Sequence, residues 1–243
     1  MRLEKKTLNV GGILAGGIGS RMASGGLPKQ LMEVGGIPVI VRTINAFLSC
    51  DKLDFVLVAM NAQWRRHCDD LIDKNCVDRS RLAIVDGGAT RFESLVNLSK
   101  AALERSGGED CVLLNHDCAR PFVSQRILSD CIDMVGDFDM VTTSMPTIDT
   151  VLLSSDGRCS DSVPNRSTVF LDQGPQAFRV KQFLALEGGL TDEERQTLIE
   201  AGRMYLAKGL SVGIVKGDRN NFKLTTPFDM VLAEAMLREG IIK

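Results

Sequence analysis

The sequence has few of the residues that usually build metal centres or disulfide frameworks. It contains only two histidines, and its seven cysteines are scattered, with no CxxC spacing and no cluster of histidines beside them. An odd number of isolated cysteines is typical of buried thiols in a reducing compartment. We therefore expect a cytoplasmic protein.

Long apolar runs and an excess of positive charge are also missing. No run approaches the ~18 apolar residues that a membrane span requires, and the opening residues MRLEKKTLNV lack the apolar core of a signal peptide. A net charge of −2 provides no general field to attract nucleic acid or an anionic membrane surface. We therefore expect a small ligand bound by local charges, with neither nucleic acid nor membrane as a partner.

What is present is a regular alternation of strand-like and helix-like segments. Apolar runs such as FVLVAM and CVLLN alternate with helix-period segments such as VIVRTINAFLSC and RFESLVNLSKAAL. This order predicts an α/β fold of Rossmann-like type, with a mostly parallel twisted sheet and helices on both faces. The length of 243 residues fits one domain with a sizeable core, spanning residues 1–243.

The pattern changes between about residues 145 and 175. Two β-like runs flank a polar, glycine-containing turn region, which predicts a β-hairpin arm that leaves the sheet. Helical periodicity resumes over about 180–207. The last helix is predicted to begin with Thr226 as N-cap, Pro227 at the first helical position and Asp229 in the first turn.

The most distinctive stretch is GGILAGGIGSRMASGGLPKQ, residues 11–30, which follows the first predicted strand. Open α/β sheets bind ligands at the carboxyl ends of their strands, where this stretch lies. Glycines let backbone N–H groups approach phosphate oxygens. Arg21 adds a planar guanidinium group with paired N–H donors, and Lys29 adds an ammonium group on a flexible side chain. The stretch is a poor P-loop, and Met22 occupies the third glycine position of a dinucleotide fingerprint. We interpret it as a triphosphate-binding loop.

Five motifs in order resemble those of the nucleotidyltransferases that activate sugar and polyol phosphates. The resemblance is greatest to the cytidylyltransferases that act on methylerythritol 4-phosphate and ribitol 5-phosphate. The motifs are LAGGIGSRM with LPKQ, GGATRFESLVNL, NHDCARPFV, DQGPQAF and VKGDRNNFKLTTPFD, and they cover nearly the whole chain. The resemblance implies a fold of nucleotide-diphospho-sugar transferase type and transfer of CMP from CTP, with release of pyrophosphate.

The resemblance also implies roles for individual residues in catalysis and CTP binding. The expected catalytic residues are Arg21, Lys29 and Lys223, whose charges would hold the triphosphate and the acceptor phosphate and stabilise the transition state. Ser94 and the backbone of the neighbouring glycines would meet cytosine and ribose. The expected CTP-binding residues are Leu14, Ala15, Gly16, Gly17, Gly19, Gly87, Gly88, Ser94 and Asp117.

A magnesium ion is expected to bridge the triphosphate, because the family binds Mg²⁺ through the aspartate of its HD motif. Asp117 occupies that position here, and Asp218 is the candidate for a second acidic group near the metal. Arg120 is expected to tie its loop to neighbouring backbone, and His67 and His116 are expected to be structural.

The arm predicts a second subunit. In the family the arm embraces a partner, and its arginine enters the partner's active site, so the resemblance implies a homodimer in which Arg166 reaches across. Asp149 and Thr150 match the family's acceptor-contacting pair near the start of the arm. The expected acceptor-binding residues are therefore Asp149, Thr150, Arg166 and Lys223.

The chain departs from the family pattern at several positions, which leaves the acceptor open. Gly174 replaces a threonine, Cys118 replaces an alanine, and Ile199 with Glu200 stands where relatives have a Thr–Asp pair. The AGG of the first loop, the segment GGLTDEERQTLIEAG and the VPNR context of the arm favour ribitol 5-phosphate. Methylerythritol 4-phosphate, the acceptor of isoprenoid biosynthesis, remains the alternative.

Three other classes stay open as competing hypotheses. One is a nucleotidyltransferase for a hexose 1-phosphate or a molybdopterin cofactor, against which the Arg166 arm and the Lys223 motif argue. Another is a nicotinamide-dependent oxidoreductase, which the missing third glycine disfavours. The last is a catalytically silent nucleotide-binding module, for which Gly174 is the best support.

Overall fold

A computed structural model describes residues 7–17, 27–75 and 77–242 of the chain. Arg21 and Gly19, both expected in the triphosphate loop, lie outside these residues. The strands are β1 (Leu8–Leu14), β2 (Glu33–Val34), β3 (Ile37–Pro38), β4 (Phe55–Met60), β5 (Leu82–Asp86), β6 (Cys111–Asp117), β7 (Met140–Pro146), β8 (Phe170–Arg179) and β9 (Val212–Lys216). The α-helices are α1 (Val39–Leu48), α2 (Ala62–Lys74), α3 (Arg91–Arg105), α4 (Gln125–Met134), α5 (Val180–Gly188), α6 (Asp192–Thr197), α7 (Ala201–Ala207) and α8 (Pro227–Arg238).

Seven of the described strands form one sheet in the order β5-β4-β1-β6-β8-β7-β9. Strand β8 is antiparallel to both of its neighbours, and the other pairs are parallel. Strands β2 and β3 form a separate two-stranded hairpin. The mostly parallel sheet with helices that the alternation predicted is confirmed.

The sheet is buried on both faces because its central strands are apolar throughout. In β4, Val56 and Val58 pack on the side of α1, α2, α4 and α8, whereas Phe55 and Leu57 pack on the side of α3, α5 and α7. Successive side chains of a strand point to opposite faces, so a continuous apolar run supplies both cores at once. The result is a three-layer arrangement.

Helix starts follow the capping chemistry that the sequence contains. Thr226 accepts from the backbone N–H of Asp229, whose carboxylate in turn accepts from the N–H of Thr226, so α8 begins with a complete capping box and with Pro227 at its first position. This start matches the prediction. The predicted helical stretch 180–207 is instead three helices, because a second capping box, between Thr191 and Glu194, starts α6 after a break.

The region of the predicted arm is mostly irregular. Strands β7 and β8 pair as far as Pro146 and Phe170 and form its base. Beyond the base, the antiparallel pairing is a single bridge between Leu153 and Ser162, and a 3-10 turn covers Arg166–Thr168. The arm thus leaves the sheet as expected, but it is a loop with one bridge rather than two long strands.

The cysteines that the structure describes form no disulfide bond, and not all of them are buried. Within the described residues all six cysteines are free; five of them are buried and Cys159, in the arm, is exposed. The expectation of buried thiols is therefore wrong for Cys159, which lies beyond the sheet where no layer covers it. Among the described residues, no helix is both long and apolar enough to cross a membrane.

Two adjacent glycines in β1 allow the central layers to approach closely. A Cβ on Gly11 would lie 2.6 Å from Cδ1 of the buried Phe47, and one on Gly12 would lie 2.9 Å from Cδ1 of Leu113. The ring of Phe47 has no exposed surface, so it has no free space to move into.

We expect Gly11→Ala to lower the free energy of unfolding by about 1–3 kcal/mol, because the added methyl group overpacks the core against Phe47. Gly202→Ala is the matched control: Gly202 lies in α7 with no heavy atom within 4 Å of the added Cβ, and alanine favours a helix. Chemical denaturation of both variants measures the difference. Equal stabilities would contradict the close approach at Gly11.

Candidate active site

The carboxyl ends of four parallel strands, β1, β4, β5 and β6, meet at one edge of the sheet. Register places Leu14 beside Ala59 on one side and beside Asp117 on the other. A cleft of about 330 Å³ opens at this edge. Its lining residues are Leu14, Ala15, Gly16, Gly17, Lys29, Gln30, Asn61, Gly88, Ala89, Thr90, Arg91, Ser94, Asp117, Cys118, Ala119 and Lys223. The glycine loop therefore lies at the edge where open α/β sheets bind ligands.

The buried side chain of Gln30 holds the start of the glycine loop. Its Nε2 donates to the carbonyl oxygens of Ala15 at 2.8 Å and Gly17 at 2.7 Å. These bonds tie the described part of the loop to the 3-10 turn Lys29–Leu31. The same turn brings the Lys29 side chain to the cleft.

Ser94 organises the second glycine pair of the cleft. The backbone N–H of Gly88 donates to Ser94 Oγ at 2.9 Å, and the hydroxyl donates to the carbonyl of Thr90 at 2.9 Å. A Cβ on Gly88 would lie 2.2 Å from Cβ of Glu93, so only glycine fits there. Gly87 does not line the cleft, and its N–H donates to the carbonyl of Met60. Ser94 and Gly88 thus form a fixed part of the cleft lining.

Asp117 lies at the centre of the charged groups. Its Oδ1 accepts from Arg91 Nε at 2.9 Å and its Oδ2 from Lys223 Nζ at 2.6 Å. Burial opposes ionisation of this carboxyl, but the charges of Arg91 and Lys223 outweigh burial and hold its pKa well below the usual range. The Asp117 side chain is 17% exposed, whereas Arg91 and Lys223 each keep more than a third of their side chains in solvent. Asp117 is a carboxylate at any physiological pH.

A second cavity, of about 260 Å³, shares a wall with the cleft. Its lining residues are Arg91, Asn115, His116, Asp117, Arg120, Asp172, Gln173, Gly174, Gln176, Glu200 and Lys223. Arg91, Asp117 and Lys223 line both spaces. A ligand in the cleft and one in the second cavity would therefore meet at these three side chains.

Two side chains of the second cavity, His116 and Arg120, lie against backbone carbonyl groups. Arg120 donates through Nη1 to the carbonyl of Asn221 at 2.7 Å, which is the structural tie expected from the sequence. Burial lowers the pKa of His116 to about 4, so this imidazole is neutral at physiological pH. Its ring lies 5.7 Å from that of Phe47, centroid to centroid.

The structure brings most of the expected CTP residues together but not the expected acceptor residues of the arm. Those lining the cleft are Leu14, Ala15, Gly16, Gly17, Lys29, Gly88, Ser94, Asp117 and Lys223. Arg166 instead donates to the carbonyl of Ile148, beside Asp149 and Thr150, and all of these residues are exposed. None of them lines the cleft or the second cavity. The arm thus presents its candidate groups away from the chain's own site.

Asp218 requires a correction. It lines neither space beside Asp117 but a separate groove with Arg42 and Phe122, and its carboxylate accepts from the N–H of Asn220 at 2.9 Å. Its backbone is tied to Gln173, which holds the loop in this orientation. The expected pairing of Asp117 and Asp218 at one metal does not fit this arrangement.

Without Asp218, the candidate magnesium ligand is Asp117, which could bind the ion only together with a substrate. Within the described residues, no group of three or more His, Cys, Asp or Glu side chains could hold a metal ion. Magnesium is commonly bound through one or two carboxylates plus substrate phosphates. Asp117, an ionised carboxylate facing the cleft, meets that requirement.

Several residues of the two spaces had no assigned role in the sequence analysis. Arg91, Gln30 and Asn61 line the cleft, and Glu200 and Asp172 line the second cavity. Arg91 carried a usable signal, because it is the arginine of the GG-x-x-R motif. Gln30 and Asp172 also lie in quoted motifs, LPKQ and DQGPQAF, and Glu200 lies where the chain departs from the family pattern. Asn61 directly follows the buried strand β4.

The chain is similar to known proteins over nearly its whole length. The family model described as IspD, 2-C-methyl-D-erythritol 4-phosphate cytidylyltransferase, matches residues 11–239. The ribitol-5-phosphate cytidylyltransferase of Streptococcus pneumoniae is 36% identical over 231 residues, which cover 94% of this chain and 98% of that protein.

Solved structures show the same architecture. A 4-diphosphocytidyl-2C-methyl-D-erythritol synthase from Anaerococcus prevotii superposes with a TM-score of 0.81 at 27% identity, covering 96% of each chain. The 2-C-methyl-D-erythritol 4-phosphate cytidylyltransferase of Thermus thermophilus superposes with a TM-score of 0.68 at 25% identity, covering 96% of this chain and all of the other.

We expect Asp117→Asn to lower turnover by about 100-fold or more, because a neutral amide cannot balance Arg91 and Lys223 and the preorganised charges of the site are lost. Asp130→Asn is the matched control, since Asp130 forms an exposed pair with Arg126 on α4. The turnover number with saturating CTP and acceptor measures both. A loss of similar size in the two variants would contradict the central role of Asp117.

Proposed function

Because the chain belongs to the IspD family of cytidylyltransferases and is therefore a nucleotidyltransferase, we propose that it transfers CMP from CTP to D-ribitol 5-phosphate. The products are CDP-ribitol and pyrophosphate. The observation that carries the choice of acceptor is the similarity, over nearly the whole chain, to the ribitol-5-phosphate cytidylyltransferase of Streptococcus pneumoniae. We place the reaction in the cytoplasm, in keeping with the free cysteines.

The lining of the cleft supports binding of CTP. The glycine-rich end of β1 and Lys29 provide backbone N–H groups and a positive charge for the triphosphate. Ser94, whose Oγ would lie 3.4 Å from a Cβ on Gly16, and Gly88, which donates to Ser94 Oγ, would contact the cytidine. Arg21, outside the described residues, keeps its proposed role beside Lys29.

The reaction itself needs orientation and charge neutralisation more than covalent chemistry. A phosphate oxygen of the acceptor attacks the α-phosphorus of CTP, and the bond from that phosphorus to the bridging oxygen of pyrophosphate breaks. Lys29 on the triphosphate side and Lys223 on the acceptor side would balance the charge that develops. Lys223 suits this position because it lines both spaces.

Magnesium is proposed as the cofactor. Asp117, together with the phosphate oxygens of CTP, would hold the ion. When bound, it neutralises charge on the triphosphate. Arg91 would keep the Asp117 carboxylate in place on the side of α3.

The arm supports a homodimer. Ile148, Leu152, Val163 and Leu171 are each more than half exposed, and exposed apolar surface of this kind marks interaction sites. Arg166 lies among them and outside its own cleft. We propose that the arm covers the second copy of the chain and that Arg166, with Asp149 and Thr150, contacts the acceptor bound there.

Methylerythritol 4-phosphate is the second candidate acceptor. The description of the matching family model and the names of the solved structures favour it. Both acceptors are short hydroxylated chains that end in one phosphate, so the cleft alone does not separate them.

We expect pyrophosphate release with CTP, Mg²⁺ and ribitol 5-phosphate, and much slower release with methylerythritol 4-phosphate. In the Lys29→Ala variant turnover is expected to fall more than CTP binding, because Lys29 acts on charge that develops in the transition state. Preference for methylerythritol 4-phosphate would overturn the choice of acceptor. CTP binding, seen as a thermal shift, without pyrophosphate release would identify a silent binding module.

A mixture of two inactive variants tests the arm. Lys29→Ala and Arg166→Ala are each expected to lose activity alone, whereas mixed dimers regain it, because one of their two sites combines an intact cleft with an intact arm from the partner. Activity assayed after subunit exchange, beside each variant exchanged with itself, measures the recovery. No recovery in mixed dimers would contradict the crossing of Arg166.

A further inference from the structure

The sheet topology separates the two ends of the cleft. Asp117 and Lys223 lie at the wall shared with the second cavity, which is the proposed place of the α-phosphorus of CTP. The outer phosphates are assigned to Lys29 and the glycine loop, so the nucleoside extends the other way, across β1 toward β4 and β5. Neighbouring strands are about 4.8 Å apart, which puts the ends of β4 and β5 about 10 Å and 14 Å from the end of β6. The base of CTP is expected at this end.

Asn61 is the first residue after β4, and it lines the cleft together with Gly88 and Ser94. The backbone N–H of Gly87 donates to the carbonyl of Met60, the residue before Asn61, at 2.8 Å. A Cβ on Gly87 would lie 3.4 Å from that carbonyl carbon and 3.3 Å from Ser94 Oγ. Asn61, Gly88 and Ser94 therefore form one cluster at the end of the cleft where the base is expected.

Three hydrogen-bond donors of this cluster are already paired within the protein. The N–H of Gly88 donates to Ser94 Oγ, and the Ser94 hydroxyl donates to the carbonyl of Thr90. The N–H of Ala89 donates to the carboxylate of Glu93 at 2.8 Å. Each of these groups would have to give up an internal hydrogen bond before it could donate to a base, and a lost internal bond offsets the new one.

The side-chain amide of Asn61 is different, because its oxygen is paired and its nitrogen is not. Oδ1 accepts from the backbone N–H of Gln63 at 2.9 Å, the bond that caps α2. Since a backbone N–H only donates, the atom that it meets must be the oxygen, and the amide cannot be flipped without losing the cap. Nδ2 has no hydrogen-bond acceptor among the described residues. Asn61 thus offers a free donor whose orientation is fixed.

The hydroxyl of Thr90 also has an unpaired hydrogen, but it cannot tell cytosine from uracil. Its oxygen accepts from the N–H of Glu93 at 3.0 Å. Ring nitrogen N3 accepts a hydrogen bond in cytosine, whereas in uracil it carries a hydrogen and donates. A hydroxyl both donates and accepts, so it can pair with either base, whereas an amide NH2 group only donates. Asn61 is therefore the side chain of the cluster that can distinguish the two bases.

We propose that the NH2 group of Asn61 donates a hydrogen bond to N3 of the cytosine ring, which makes Asn61 a specificity-determining residue for CTP over UTP. The bond to Gln63 holds the amide in this orientation, so the cap of α2 also sets the base that the cleft binds. With UTP the N3–H group and the amide N–H would face each other, and both donors would be left without an acceptor. The inference rests on the proposed cytidylyl transfer.

The first test is Asn61→Asp, which keeps an oxygen for the N–H of Gln63 and removes the NH2 donor. Aspartate caps a helix as well as asparagine does, so a role in capping alone would leave base preference unchanged. The ratio of kcat/KM for CTP to kcat/KM for UTP is expected to fall about 10-fold or more, because the carboxylate repels N3 of cytosine and accepts from N3–H of uracil. Thermal shifts with each nucleotide and Mg²⁺ measure the same preference in binding alone.

The second test is Asn61→Ser, which serves even where Asn61→Asp does not fold. Serine also caps a helix, but its hydroxyl is shorter and both donates and accepts. The ratio is expected to fall through loss of activity with CTP, without a gain with UTP. Asn165→Asp is the matched control, because Asn165 accepts from the N–H of Ser167 at 3.1 Å in the same way and lines neither space. Its base preference is expected to equal that of the unmodified protein.

The outcomes separate this contact from the proposed function. If the unmodified enzyme releases pyrophosphate with CTP and ribitol 5-phosphate but Asn61→Asp keeps the same base preference, the contact is wrong. Equal losses with CTP and UTP in both Asn61 variants would also overturn it, since Asn61 would then contact O2, which the two bases share. If CTP binds but no polyol phosphate supports release, the proposed transfer fails, and the thermal shifts still decide the contact.

Discussion

The site depends on one carboxylate held between two cations. Asp117 ends the central strand β6, Arg91 begins α3 and Lys223 lies in the loop before α8. Each cation loses its counterion if the carboxylate is absent, and neither Arg91 nor Lys223 then has that group to hold it at the site. The Asp117 pairs therefore fix the relative positions of three separate segments.

This arrangement also joins the two spaces of the site. Because the three charged side chains line both the cleft and the second cavity, a nucleotide and an acceptor would be held on opposite sides of the same charges. Transfer of a nucleotidyl group requires that geometry, since most of the barrier is removed by alignment and by neutralising charge. The rest of the fold supplies rigidity: glycines in β1 pack against Phe47 and Leu113, and Gln30 holds the loop above them.

Helix starts and buried strands were predictable from the sequence where neighbouring residues decide them. The start of α8 follows from Thr226, Pro227 and Asp229, and the buried strand β4 follows from six consecutive apolar residues. The break within 180–207 was missed although its capping box is in the sequence, because the helical period continues across it. The arm was expected as a hairpin, but its apolar residues have no layer to pack against and pair at one bridge only.

The sequence by itself determined the fold class, the family motifs and the glycine loop, because apolar period, glycine content and motif order are properties of neighbouring residues. Only the tertiary structure decided which charged groups meet. Arg91 and Lys223 lie 26 and 106 residues from Asp117 in the chain, and Asp218, five residues before Lys223, faces another groove. The second cavity likewise exists only once β6 and β8 are paired, because free volume is set by contacts between distant segments.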